Sequence, residues 1–104
     1  MSHETGYLHL NVGKGRCTVA FRKAPPQPYT DQTYTQVALS FCSPKDQFSR
    51  QRGRQIAEGR LNAEKFMWQL PCSEKLGEVR KKIRQVVADS VACKDDRFPH
   101  WALK

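Results

Sequence analysis

Apolar and polar residues alternate with a period of two over two runs near the start of the chain. From Tyr7 to Val12 the residues Leu8, Leu10 and Val12 share one side of an extended chain. A second alternating run extends from Cys17 to Arg22, and Gly13-Lys14-Gly15 between the two runs is typical of a turn. The pattern predicts a β-hairpin with one buried and one exposed face.

Further along the chain, the residues from Thr33 to Cys42 give the longest alternating run, so we expect an interior strand of the sheet. The segment before it, Ala24 to Tyr29, contains three prolines, which lack the N–H donor of a paired strand. This segment is therefore predicted to be an extended connector. Residues 66–70, which precede Pro71, are predicted to form either a short fourth strand or a packed loop.

Two segments carry helix signals. Ser43 is a favoured N-cap residue, Pro44 fits the first helical position, and Asp46 falls three residues after the cap, so a first helix is predicted from there to about Leu61. A second helix is predicted to open at Ser73-Glu74. Its apolar residues follow the i, i+3, i+4, i+7 spacing of a buried helix face: Leu76, Val79, Ile83, Val86, Val87 and Val91.

The order of these elements predicts an α+β fold, in which a small antiparallel sheet of three or four strands carries two helices on one face. The other face of the sheet is expected to meet water. A length of 104 residues predicts a single domain over residues 1–104. The aromatic tail from Arg97 to Leu103 is expected to dock on this domain, because exposed Phe and Trp side chains favour association.

Catalytic and metal-binding motifs are missing from the sequence. It contains no G-x-S-x-G, H-E-x-x-H or Walker lysine motif, and its four cysteines form no C-x-x-C pair. We therefore expect no catalytic residue, metal or cofactor, and we expect His9 to be solvated or hydrogen-bonded. The cysteines are predicted to be free and buried, although Cys42 and Cys72 each precede a predicted helix start, where a thiol can become reactive.

The charge of the chain points to an anionic partner. The chain has 18 Lys and Arg against 10 Asp and Glu, a formal charge of +8 at pH 7. Such an excess favours nucleic acid or an acidic protein surface as the partner. The sequence has no secretory hydrophobic segment and no apolar run near the ~20 residues that span a bilayer. We therefore expect a cytoplasmic protein with no membrane partner.

The basic residues that we expect to bind a partner fall into two groups. The first helix region contributes Lys45, Arg50, Arg52, Arg54 and Arg60, and the second helix contributes Arg80, Lys81 and Arg84. Arg50 and Arg54 are predicted to project outward one turn apart. Arg52 is predicted to lie nearer the packed side, where its charge would need a carboxylate or a ligand. The alternative for both groups is a solvated basic face without a partner.

The stretch from Cys42 to Leu61 resembles short motifs in small uncharacterised proteins of phages and other mobile elements. This resemblance covers about a fifth of the chain. It implies a class of proteins that manipulate nucleic acid or host machinery, including small inhibitors such as anti-CRISPRs.

Four functional hypotheses follow, in order of preference. The first is a nucleic-acid-binding domain that uses the arginine-rich helix. The second is an inhibitor or adaptor that presents the same arginines to a host protein or nucleoprotein complex. A structural protein with a solvated basic face comes third and an enzyme last.

Overall fold

The computed structural model describes residues 5–25, 28–29, 31–71 and 75–103. Its strands form one antiparallel sheet in the order β1-β2-β3-β4, which confirms the α+β class, the interior position of β3 and the presence of a fourth strand. The elements in chain order are β1 Gly6–Val12, β2 Gly15–Lys23, β3 Tyr34–Cys42, α1 Arg50–Asn62, β4 Trp68–Pro71, α2 Leu76–Ala92 and a final 3₁₀ turn, His100–Leu103.

The predicted hairpin is present, and its turn also receives the end of the chain. Val12 pairs with Gly15, which leaves Gly13 and Lys14 as a two-residue turn. Gly13 has a φ of +56°, a conformation that favours glycine. A Cβ atom at Gly13 would stand 2.5 Å from the backbone oxygen of Trp101, so glycine is also required for the close approach of the 3₁₀ turn.

One face of the sheet holds the larger apolar core. Side chains from β1, β2 and β3 are buried there against α2, including Val79, Ile83 and Val87, while Val86 is only half-buried. The tail docks on the same core, as predicted: Phe98 and Ala102 are buried, and the Phe98 ring lies 5.2 Å from the Phe41 ring between centroids. The predicted apolar face of α2 is thus confirmed at Val79, Ile83 and Val87, whereas Val86 and Val91 are only half-buried.

The prediction that both helices lie on one face of the sheet is wrong. α1 packs on the opposite face, where Ala57 and Leu61 are buried against Ala20 and Ala38. The alternation does not show this, because the middle of the second face of β2 and β3 carries the small residues Thr18, Ala20, Ala38 and Ser40, a composition that suits an exposed face as well as a buried one. Small side chains let a helix approach closely, so the sheet is covered on both sides and the fold has three layers.

The close approach of α1 is greatest at Gly53. His9, Thr18 and Ser40 form a row of register partners across the first three strands, and Gly53 lies over this row. The Ser40 hydroxyl donates a 3.0 Å hydrogen bond to the backbone oxygen of Gly53. A Cβ atom at Gly53 would stand 2.3 Å from Oγ1 of Thr18, which leaves no room for a side chain.

Alanine is expected to have opposite effects at the two glycines of α1. Gly59→Ala should raise the free energy of unfolding by up to about 1 kcal/mol, because helix propensity improves and no atom lies within 4 Å of the new methyl group. Gly53→Ala gains the same propensity but overpacks the contact with Thr18, which typically costs about 1–3 kcal/mol. Urea unfolding of both variants measures the difference. Equal stabilisation by the two substitutions would contradict the packing described here.

The predicted start of the first helix is also wrong. α1 begins at Arg50, with Ser49 as the N-cap residue whose hydroxyl accepts a 3.3 Å hydrogen bond from the Arg52 N–H. Ser43 instead opens a turn, closed by a 3.0 Å hydrogen bond from the Asp46 N–H to the Ser43 oxygen. Serine followed by proline suits the first two positions of a β-turn as well as a helix start, so the local signal fits both.

Several sequence predictions lie outside the described residues. These are the middle of the proline connector at Pro26 and Gln27, and the predicted opening of α2 at Ser73 and Glu74. At the end of the connector, Tyr29 is 95% exposed. α2 itself begins at Leu76.

Candidate nucleic-acid interface

Three arginines converge at the N-terminal end of α1, on the side that faces β1. Arg50 and Arg54 are exposed residues of α1, and Arg16 is an exposed residue of β2. The guanidinium carbon of Arg54 lies 5.8 Å from the Tyr7 ring centroid. We call Arg16, Arg50 and Arg54 the arginine cluster.

His9 lies among the three side chains of the arginine cluster, and their charge affects its pKa. Its Nδ1 is 3.0 Å from Oγ1 of Thr18, which confirms the predicted hydrogen-bonded histidine. Burial lowers the pKa of His9, and the positive charges of Arg50, Arg54 and Arg16 lower it further. The lowered pKa favours the neutral imidazole, so the positive charge of this surface comes mainly from the three guanidinium groups.

Aromatic rings lie between these charges. The Phe48 ring packs edge-on against His9 with 5.6 Å between the ring centroids. The guanidinium carbon of Arg16 lies 4.9 Å from the Phe48 centroid, within the range of a cation–π contact. Phe48 precedes α1 and joins this surface.

No carboxylate neutralises the arginine cluster within the described part of the chain. An ion pair of 2.7 Å joins Arg97 to Asp95 elsewhere, but no such pair involves Arg16, Arg50 or Arg54. Burial raises the pKa of Tyr7, and the neighbouring Glu58 carboxylate raises it further. Glu58 follows Arg54 by one helical turn, but among the described residues it forms no ion pair with the arginine cluster.

The first turn of α1 is electrostatically unfavourable for the helix itself. Arg50 and Arg52 occupy its first and third positions, and it contains no acidic residue. The N-terminus of a helix carries the positive end of the macrodipole, so a positive side chain there costs stability where a negative one would add about 0.3–1 kcal/mol. The arrangement instead concentrates positive charge at one point of the surface.

On its other side, α1 borders a cleft of about 420 Å³. Arg52, Asp46 and Phe48 line this cleft, and the buried residues Thr18 and Ser40 lie at its floor. Arg52 was predicted to need a carboxylate or a ligand. Arg52 and Asp46 line the same cleft, but no ion pair joins them in the described structure.

Two of the predicted binding residues make contacts within the fold. Arg60 donates a 2.5 Å hydrogen bond to the oxygen of Leu39, on the part of β3 that β4 does not pair. Arg80 donates a 3.1 Å hydrogen bond to the oxygen of Tyr7 and lies 5.5 Å from the Phe21 ring centroid. Both side chains therefore stabilise the sheet, and their role in binding stays a prediction.

The remaining predicted residues are exposed but lie apart from one another. Lys45 is in the turn before α1. Lys81 and Arg84 are on α2, across the sheet from the arginine cluster, and line a surface depression of about 540 Å³ with Arg80. The structure thus separates the predicted set into two basic surfaces.

Two arginines of β2 outside the predicted set have different positions: Arg16, which was missed in the sequence, belongs to the arginine cluster, and Arg22 does not. Arg16 follows the hairpin turn and shares the sheet face of Tyr7 and His9. The strand alternation places it there only once the register of the hairpin is known. Arg22, also on β2, lies at the far end of α1, where it donates hydrogen bonds to the Leu61 oxygen at 3.1 Å and to Oδ1 of Asn62 at 2.9 Å.

The cysteines differ from the prediction of four buried thiols. Cys17 is buried, which raises the pKa of its thiol to about 12, but Cys93 is exposed and Cys42 is half-buried. Since α1 begins at Arg50, Cys42 does not adjoin a helix start, and the argument for a reactive thiol there is wrong. Cys72 lies outside the described residues.

The described residues contain no candidate metal site and no candidate membrane span. No three His, Cys, Asp or Glu side chains of those residues are grouped so that they could hold a metal ion. Neither helix, over its described length, is long and apolar enough to cross a membrane.

The comparisons with known proteins found no match: no family model, no curated protein and no solved structure is similar to this chain. The resemblance of residues 42–61 to phage proteins stays a prediction.

Proposed function

We propose that this protein binds nucleic acid through the arginine cluster at the start of α1. The observation that carries the proposal is the placement of Arg50, Arg54 and Arg16 around His9 without a neutralising carboxylate among the described residues. Arginine presents a planar fork of N–H donors that fits phosphate oxygens and keeps its charge at any physiological pH. Three such groups close together form a surface for a polyanion.

The cost of this arrangement to the fold favours a binding role over a solvated basic face. A helix whose surface charge has no partner gains stability when acidic residues occupy its first turn. Here Arg50 and Arg52 occupy that turn, and Arg16 of β2 adds a further positive charge that repels them. Proteins commonly give up stability where function demands an unfavourable arrangement.

The expected binding is dominated by phosphate contacts. Such contacts position a protein on nucleic acid but carry no sequence information directly. Each phosphate neutralised on duplex DNA contributes about −0.9 to the slope of log K against log salt concentration, and on a single strand about −0.7. Three or four contacts therefore give a slope of roughly −3 on duplex DNA and somewhat less on a single strand.

Fluorescence anisotropy with a labelled oligonucleotide at several salt concentrations tests this prediction. For a fourfold rise in salt we expect the affinity to fall by about 60-fold on duplex DNA and by about 20-fold on a single strand. Affinity that hardly changes with salt would contradict the proposal. The variant Arg16→Gln removes one guanidinium group and therefore one phosphate contact. The slope on duplex DNA should become less steep by about 0.9.

An acidic host protein is the second partner that the same charges could fit. A pull-down from host lysate with and without nuclease separates the two partners. Capture of nucleic acid that nuclease abolishes supports the proposal. A single protein retained at full yield after nuclease treatment would favour the inhibitor or adaptor hypothesis instead.

A further inference from the structure

We infer that the cleft beside α1 binds an unpaired base of a single-stranded nucleic acid, whose phosphates lie on the arginine cluster. This inference rests on the proposed function and assigns its substrate class. The cleft and the arginine cluster adjoin at two residues. Phe48 lines the cleft and contacts Arg16 and His9, while Thr18 lies at the cleft floor and binds His9.

The cleft has the chemistry of a base-binding site. At about 420 Å³ it falls within the range of small-molecule pockets, roughly 300–1,000 Å³. Phe48 offers an aromatic ring, on which an unstacked base can pack. Arg52 presents a donor fork and Asp46 an acceptor pair, and nucleobase edges carry both acceptors and donors. Arg52 and Asp46 form no ion pair with each other in the described structure.

The floor of the cleft is already satisfied by the protein. The Ser40 hydroxyl donates to the Gly53 oxygen, and Thr18 is hydrogen-bonded to His9. The groups left for a ligand therefore lie elsewhere in the lining and include Arg52, Asp46 and the Phe48 ring. These are groups that read the edge and the face of a base rather than a phosphate alone.

A single strand fits this arrangement better than a duplex. In a duplex the bases are stacked and paired, so moving one into a pocket requires unstacking and unpairing. In a single strand the bases can turn outward and stack on aromatic side chains while basic residues follow the backbone. The juxtaposition of an aromatic-walled cleft and the arginine cluster is the pattern of single-strand binding.

The test compares two single-stranded probes of equal length and charge, one with all its bases and one with abasic sites at its central positions. Anisotropy titrations measure both affinities for the parent protein and for Arg52→Gln. We expect the parent to bind the complete probe at least about fivefold more tightly, the lower end of what one stacked base contributes. Arg52→Gln should shrink that ratio. Lys65→Gln removes the same charge at an exposed position beyond the other end of α1, and it should leave the ratio unchanged.

The outcomes distinguish this inference from the proposed function. If the parent protein binds both probes equally, or if Arg52→Gln leaves the ratio of affinities intact, the base-binding cleft is overturned while nucleic-acid binding stands. If neither probe nor a duplex of the same length binds at low salt, the proposed function itself fails. As a further check, Phe48→Leu should also lower the ratio, and its thermal unfolding curve shows whether the variant is folded. A duplex that binds more tightly than the complete single strand would also overturn the inference.

Discussion

Replacing Ile83 with alanine is expected to lower the free energy of unfolding by about 2–5 kcal/mol, the range for a large aliphatic side chain lost from a core. Ile83 is fully buried, on the face of α2 that packs on the sheet between Val79 and Val87. The substitution removes apolar surface and leaves a cavity that the surrounding strands fill only in part. A domain of this size has about 5–15 kcal/mol of stability in total, so the loss is large.

Urea unfolding followed by circular dichroism measures this loss. Val86→Ala is the matched control, because Val86 lies on the same helix but is only half-buried. We expect its loss to be clearly smaller. A cost for Ile83→Ala near that of an exposed position, about 0.5 kcal/mol, would show that α2 does not pack as described.

The strands were predictable because their apolar residues alternate strictly. One side of β2 and β3 carries Val19, Val37 and Leu39, which identifies a buried face directly. The second buried face could not be recognised, because its central residues Ala20 and Ala38 are alanines, and alanine also occurs on exposed strand faces. Only the packing of α1 on these small residues shows that the sheet has helices on both sides.

The candidate site was predictable in part for a similar reason. Arg50 and Arg54 are one helical turn apart, so their common exposed side follows from the helix period even though the predicted helix start was wrong. The contribution of Arg16 depends on strand register and on the path of residues 43–49, neither of which has a local sequence signal. The same holds for Arg60 and Arg80, whose hydrogen bonds to strand oxygens are long-range.

The largest effect on function is expected from Arg50→Glu, which should weaken nucleic-acid binding and stabilise the fold at the same time. The substitution removes one phosphate contact and places a negative charge beside Arg54 and Arg16, so we expect affinity to fall well over tenfold, more than about 1.4 kcal/mol. The same change replaces an unfavourable charge at the first position of α1 with a favourable one. Two such contributions of about 0.3–1 kcal/mol each should raise the free energy of unfolding by about 1 kcal/mol.

Lys65→Glu is the control that separates this effect from net charge. It changes the charge by the same amount at an exposed residue just beyond the C-terminal end of α1, where a negative charge is unfavourable to the helix. We expect little loss of affinity and no gain in stability. Melting temperature and anisotropy, measured on both variants at low salt, give the comparison, and a gain of 1 kcal/mol corresponds to roughly 4–8 °C in a small domain. Equal loss of affinity in the two variants would show that binding depends on overall charge rather than on the arginine cluster. A loss of stability in Arg50→Glu would show that Arg50 supports the fold. The hypothesis that Arg50 favours binding at the expense of stability would then be wrong.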